Sequence, residues 1–173
     1  MKVFDRFLIA VMVIAAVSGV SAQAFDGGIG VRVTGGAVIQ TAPVGGAGAE
    51  LGVGVVGDIP FADFIGLRLM VDYVAGLQML TINNYFFGGF LNFYLSKEIY
   101  LGIGAGYQLQ MISFMGMSAS AGAPYGALEF GYVVPLSTNL GLDLGLIATM
   151  PMFSSGVVFF DVRACVGLQF KIK

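Results

Sequence analysis

The chain has 173 residues, enough for one domain; 57% are apolar, 10% are charged, and the mean hydropathy is +0.89. Charge at less than half the usual ~25% argues against an ordinary soluble domain, and so apolar a chain is not a disordered one. The net charge of −2 leaves no basic surface for nucleic acid, and the single cysteine, Cys165, cannot close an intrachain disulfide. The composition is that of a membrane protein, crossing either with helices or with strands.

The first 24 residues read as an address. Lys2 and Arg6 form a basic start, with Asp5 an unusual guest, and Phe7 to Val17 is an unbroken run of 11 apolar residues. Small residues follow, with an A-x-A site at Ala22-Gln23-Ala24. This is the pattern of a cleaved secretory signal peptide, with cleavage after Ala22 or Ala24. The apolar run falls well short of the ~20 residues a spanning helix needs, and no cysteine lies near the cleavage site to accept a lipid anchor. Residues 1–24 are therefore expected to be removed, and residues 25–173 to form the domain.

Along that domain the apolar residues alternate, and a period of two belongs to strands. Eight segments emerge. The first, about Gly28–Gln40, sets Ile29, Val31, Val33, Ala37 and Ile39 against Arg32, Thr34 and Gln40. The second, about Ala47–Gly57, opposes Leu51, Val53 and Val55 to Glu50, and the third, about Phe64–Val74, opposes Leu67, Leu69 and Val71 to Arg68 and Asp72. The fourth, about Asn84–Leu95, opposes Tyr85, Phe87, Leu91 and Phe93 to Asn92. The fifth, Ile99–Gln110, is apolar or aromatic at every odd position, while its even positions are glycine, glutamine and one tyrosine. The sixth, about Tyr125–Val134, and the seventh, about Leu140–Thr149, set Glu129 and Asp143 against their apolar stripes. The eighth, about Val157–Ile172, sets seven apolar residues against Asp161, Arg163, Gln169 and Lys171.

Eight is an even number, and each segment is long enough for a tilted crossing of about 9–11 residues. Every charge within a strand lies opposite the apolar stripe. A soluble sandwich would carry its charge outside and in greater amount, whereas a transmembrane barrel excludes charge from lipid. The polar face is also rich in glycine, as a narrow interior requires. These observations predict an all-β, eight-stranded, antiparallel up-and-down transmembrane β-barrel. Connections at Asp58–Asp63, Ser96–Glu98 and Pro135–Asn139 read as short turns. Those at Thr41–Gly46, Gly76–Asn83, Ile112–Pro124 and Met150–Gly156 read as longer loops. Tyr73, Tyr85, Tyr107 and Phe160 fall near the loop end and Phe93, Tyr132 and Phe170 near the other, as two aromatic girdles would.

The chain resembles the small eight-stranded outer-membrane barrels of the OmpA, OmpX and OmpW type over about Phe25 to Lys173. The resemblance rests on signal peptide, strand count, loop alternation and face polarity. It implies a monomer in the bacterial outer membrane with both termini periplasmic, surrounded by outer-membrane lipid and inserted by the barrel-insertion machinery. One departure concerns the end of the chain: the family usually closes on an aromatic residue, whereas Phe170 is followed here by Lys171-Ile172-Lys173.

Catalysis is not expected. Ser113, Ser118, Ser120, Ser154 and Ser155 have no histidine to act as base, since the chain contains none, and Lys97, Lys171 and Lys173 lie at the other rim. No cofactor and no metal site are expected. The inward charges Arg32, Glu50, Arg68, Asp72, Glu129, Asp143, Asp161 and Arg163 should form a lumenal network. Folding strands seven and eight about Phe153 sets Asp143 opposite Arg163, a structural ion pair or, less commonly, a gate. Folding strands two and three about Phe61 sets Glu50 opposite Asp72, two carboxylates that would share a proton, attract a cation or be neutralised by an arginine. Five acids would thus face three arginines plus Lys171 at the rim, and any aqueous path would weakly favour cations. The long loops carry no charge, and Met79, Met111, Met115, Met117, Met150 and Met152 cluster at that end of the barrel. The Met115-Gly116-Met117 spacing could ligate Cu(I), but with no histidine or cysteine nearby a soft apolar surface is the better reading. Two functions are therefore open: an envelope-structural or surface-interaction barrel, or a narrow channel for small apolar molecules entered through the Met-rich loops.

Overall fold

The computed structural model describes residues 27–40, 46–77, 81–114, 117–152 and 159–172. The expected signal peptide, Met79, Met115, Ser154 and Ser155 lie outside them. The described residues form eight strands and no helix: β1 Gly28–Gln40, β2 Gly46–Ala62, β3 Ile65–Gly76, β4 Thr81–Tyr94, β5 Ile99–Phe114, β6 Met117–Pro135, β7 Leu140–Pro151 and β8 Phe159–Lys171. Each pairs antiparallel with its sequence neighbour, and β8 closes on β1, so the sheet is a closed transmembrane barrel with no free lateral edge around its belt. With an even number of strands, both described ends, Gly27 and Ile172, meet at one rim, where the Ile172 amide donates to the Gly27 carbonyl. That rim is called the terminal rim below, and the opposite one the loop rim.

The register is staggered. A walk across paired residues from Gly28 passes Asp58, Arg68, Phe90, Gly104, Ala127, Thr149 and Asp161. It returns to β1 at Val38, ten residues above its start. A stagger of this size in eight strands goes with a strand tilt of about 40° and an interior just wide enough for side chains.

The two faces separate as the alternation predicts. Val31, Val33, Leu51, Val53, Val55, Leu69, Val71, Leu128, Leu146, Val162 and Val166 all point outward and are exposed. Between them Arg32, Met70, Glu129, Ile147, Asp161, Arg163 and Cys165 are buried, and on β2 the intervening Gly52 and Gly54 are half-buried. β3 and β7 show strict alternation over most of their length.

Three sequence expectations are corrected. Residues 58–62 belong to β2 and not to a turn, with the register shifting between Pro60 and Ala62 before the turn at 63–64. Asp58 is consequently a buried lumenal residue. The segment 112–124, expected as a loop, is an extension of the β5–β6 hairpin, paired up to Phe114–Met117. The extra length between β5 and β6 goes into strand, and only residues 115–116 remain between them. The hairpins also turn about different centres. Asp143 is paired with Gly167 and Arg163 with Ile147, so Asp143 and Arg163 do not face each other. Glu50 is paired with Gly76 and Asp72 with Gly54, so these two carboxylates do not face each other either. Both registers slide by an even number, which keeps every side chain on its expected face.

Candidate functional site

All eight lumenal charges predicted from the sequence are buried, together with Asp58, and none of the nine is more than 7% exposed. They form one connected ion-pair network. Near the terminal rim, Arg68 pairs with Asp58 (Nε–Oδ1 2.7 Å), Glu129 (3.0 Å) and Asp143 (3.0 Å). Its guanidinium also lies over the Tyr100 ring, 4.4 Å from the centroid, and donates to the Tyr100 hydroxyl. That hydroxyl in turn donates to Asp143 at 2.9 Å. Gln169 adds a donor to Asp58.

Glu129 links this cluster to Arg32 at 3.5 Å. Arg32 grips Asp72 with two nitrogens, Nε at 3.0 Å and Nη2 at 2.6 Å, the forked geometry in which arginine binds carboxylate best. Asp72 is shared with Arg163 at 3.2 Å. Arg163 reaches Asp161 at 3.1 Å and Glu50 at 3.8 Å, and Thr149 donates to Asp161 at 3.1 Å. Thus Asp143 is held by Arg68 instead of Arg163, Arg163 is held by the acids of β2, β3 and β8, and Glu50 and Asp72 are bridged by an arginine, one of the arrangements the sequence left open.

The charges come from β1–β3 and β6–β8. β4 and β5 supply bulk instead: Phe86, Phe90, Tyr94 and Tyr100 are buried, with Tyr125 of β6 beside them. Phe86 meets Tyr125 edge to face at 5.6 Å and carries the Arg163 guanidinium 4.2 Å over its ring. The inward glycines make room for these rings. A Cβ on Gly131 would collide with the Tyr100 ring, and one on Gly106 would meet the Tyr125 ring at 2.6 Å. Sequence reasoning placed Gln169 on the polar face of the eighth strand without assigning it a partner, and did not single out Asp58, Tyr100 or Thr149 as lumenal partners. For Asp58 a signal was present, because it continues the even-numbered inward series Glu50, Gly52, Gly54 of β2. With it, six acids face three arginines.

The loop rim is different in kind. Met111, Met117, Met150 and Met152 are exposed, Met117 by 71%, and Leu77, Tyr107 and Leu109 are exposed with them. Tyr73 packs on Tyr85 (5.2 Å) and its hydroxyl donates to Asn83 at 2.8 Å. Residues Met117–Gly122 are exposed on both faces, so the outer part of the β5–β6 hairpin stands clear of the barrel. Inside the mouth, Gln108 donates to Asn84 at 2.9 Å. Cys165 is buried in the lumen, as its parity predicts.

No protein-family model and no curated protein matches the sequence. Solved structures do match the fold. Neisserial surface protein A aligns with 83% of this chain and 97% of its own at a TM-score of 0.63 and 15% identity. Ail of Yersinia pestis, the attachment invasion locus protein, aligns with 86% of this chain and all of its own (TM-score 0.53, 13% identity). The N-terminal β-barrel domain of Pseudomonas aeruginosa OprF aligns with 82% of this chain and 97% of its own (TM-score 0.51, 12% identity). The chain therefore has the fold of the small eight-stranded outer-membrane barrels, at sequence identities too low to carry their functions across.

Proposed function

We propose that this is a non-enzymatic, non-conducting barrel of the bacterial outer membrane, with both termini periplasmic, which acts through contacts made by its loop rim. The observation that carries the reading is the continuous ion-pair network through the lumen, whose members are almost wholly shut off from water. Buried pairs of this kind are hard to open, since separating one leaves a charge uncompensated. A channel for apolar molecules has less in its favour, because the lumen is lined by carboxylates and guanidiniums. The absence of histidine from the sequence supports the non-enzymatic part.

The working surface is then the uncharged, methionine-rich rim with its projecting β5–β6 hairpin. Methionine side chains adapt to irregular apolar partners, and an exposed apolar rim of this sort marks a contact site. Attachment, which the name of Ail ascribes to that protein, is a role of the same kind. The test is conductance of the refolded chain in a planar bilayer, with folding verified by heat-dependent gel mobility. A silent bilayer is the expected result, with Arg68→Ala beginning to conduct. Discrete, frequent openings of the unaltered chain would overturn the plugged reading.

A further inference from the structure

The hairpin that projects from the loop rim carries an unpaired strand edge. β5 and β6 stay paired in one unbroken register from Ile99–Tyr132 out to Phe114–Met117. On its other side β6 pairs with β7 only as far as Tyr125–Pro151, and one further bond follows, from the Met152 amide to the Pro124 carbonyl. Among the described residues, none pairs with Met117–Ala123 on that side. In an antiparallel strand the N–H and C=O of one residue point to the same side, and the side alternates along the chain. The Pro124 carbonyl points toward β7, so the amides and carbonyls of Gly122, Ser120 and Ser118 point that way too. Three donors and three acceptors therefore line one edge, the residues about 6.8 Å apart, and all three residues are exposed. Native sheet edges are usually blunted by charge, proline or a bulge. Between Met117 and Ala123 this edge has none of them, only small side chains after Met117 and a register without a shift.

We infer that this edge of β6 is a docking site for an extended, uncharged segment of a protein outside the membrane, which adds to the β5–β6 hairpin as a further strand. The inference deepens the reading of the loop rim as a contact surface and rests on it. The occupant follows from the chemistry of the edge. Alternating donors and acceptors at a two-residue spacing match another extended backbone, and the serines, alanines and glycine of β6 let that backbone come close. Neither the edge nor the connecting segments around it carry a charge to hold one on the partner. A second copy of this chain does not fit. Two barrels in one membrane have parallel axes, and their β6 strands run from loop rim to terminal rim at a tilt of about 40°. Related by a two-fold axis along the membrane normal, the two free edges would cross at about 80° and could not form a ladder.

The probe is a synthetic peptide with the sequence of residues 107–114, the segment that pairs with the opposite edge of β6, carrying two lysines at one end for solubility. Amide hydrogen exchange of the refolded barrel is read by NMR with and without it. In the free barrel Ser118, Ser120 and Gly122 should exchange at open rates, while Ala119 and Ala121, whose amides point to β5, are protected. Saturating peptide should slow the first three at least about tenfold, the weight of one net backbone hydrogen bond, and leave Ala119 and Ala121 unchanged. Ser120→Pro removes the central amide at a place where an edge tolerates proline, and should weaken peptide binding about tenfold. Ser120→Ala keeps that amide and should bind as the unaltered chain does. Protection of Ser118, Ser120 and Gly122 without peptide would overturn the inference, because the edge would already be covered, by a second copy if the protection grows with barrel concentration. Binding that leaves these three amides fast and is lost in Met117→Lys would also overturn it, while keeping the rim as an apolar contact surface. Absence of peptide binding would overturn the inference alone if the barrel is still retained on a phenyl matrix, and both readings if it is not.

Discussion

The lumen and the loop rim solve opposite problems with opposite residues. The lumen concentrates nine charged side chains, all almost closed to outside solvent, and ties them into one network. The loop rim meets the outside world without a single charge in its connecting segments, although charge would be easiest to solvate there. The usual correlation of charge with exposure is thus inverted. In a barrel the deciding variable is which surface touches hydrocarbon, and the interior is the one place within the membrane where a charge can find a partner.

The contrast can be broken most forcefully from inside. Arg68→Met removes the counter-charge of Asp58, Glu129 and Asp143 together and should destabilise the barrel by about 3–5 kcal/mol. Urea titration of the barrel in lipid, followed by gel mobility, measures it, and an unchanged midpoint would mean the network is ornamental. Moving charge to the wrong side is the next test. Val53→Arg, on the lipid face of β2, should cost roughly 2–4 kcal/mol if the residue lies near the midplane. A cost near zero would place Val53 close to the headgroups and require the membrane belt to be redrawn.

Packing inside the network is expected to matter somewhat less. Gly131→Ala drives a methyl into the Tyr100 ring and should cost about 1–3 kcal/mol, with part recovered in the double variant with Tyr100→Leu. Equal costs in both backgrounds would show that the ring and the glycine are not coupled. The smallest effect sharpens the other half of the comparison. Met117→Lys adds a charge where exposure is greatest and should change stability by no more than about 0.5 kcal/mol. Binding to apolar-coated surfaces should nevertheless fall, measured by retention of the refolded barrel on a phenyl matrix.

The faces of this barrel were legible from the chain because alternation is a local property. Arg32, Arg68, Glu129 and Arg163 could be assigned inward from their immediate neighbours, and they are inward. The partners of those charges were not legible. Sliding the β7–β8 hairpin by four residues leaves every face unchanged, and the pairing of Asp143 on β7 with Arg68 on non-adjacent β3 is made across the lumen, so alternation along a strand carries no sign of either. Asp58 was hidden by Pro60, which reads as a turn but is accommodated here next to a register irregularity. The outer part of the β5–β6 hairpin was hidden for a third reason. Met117-Ser118-Ala119-Ser120-Ala121-Gly122 is exposed on both sides, and its weak alternation, with Met117, Ala119 and Ala121 at odd positions, runs out of phase with the outward stripe Leu128, Phe130 and Tyr132.

The charge-free loop segments also bear on how the barrel enters a membrane. A closing barrel must push one rim through the hydrocarbon, and each Arg, Lys or Asp carried across would add roughly 2.5–3.5 kcal/mol at the bilayer centre. On the orientation proposed above, the rim opposite the termini makes that passage with no such burden, while Asp63, Lys97, Glu98 and Lys171 belong to the rim that need not cross. The lumenal arginines and acids travel already able to neutralise one another. On that orientation the uncharged rim meets a low barrier to crossing, and the charged rim resists following it, as a flange would.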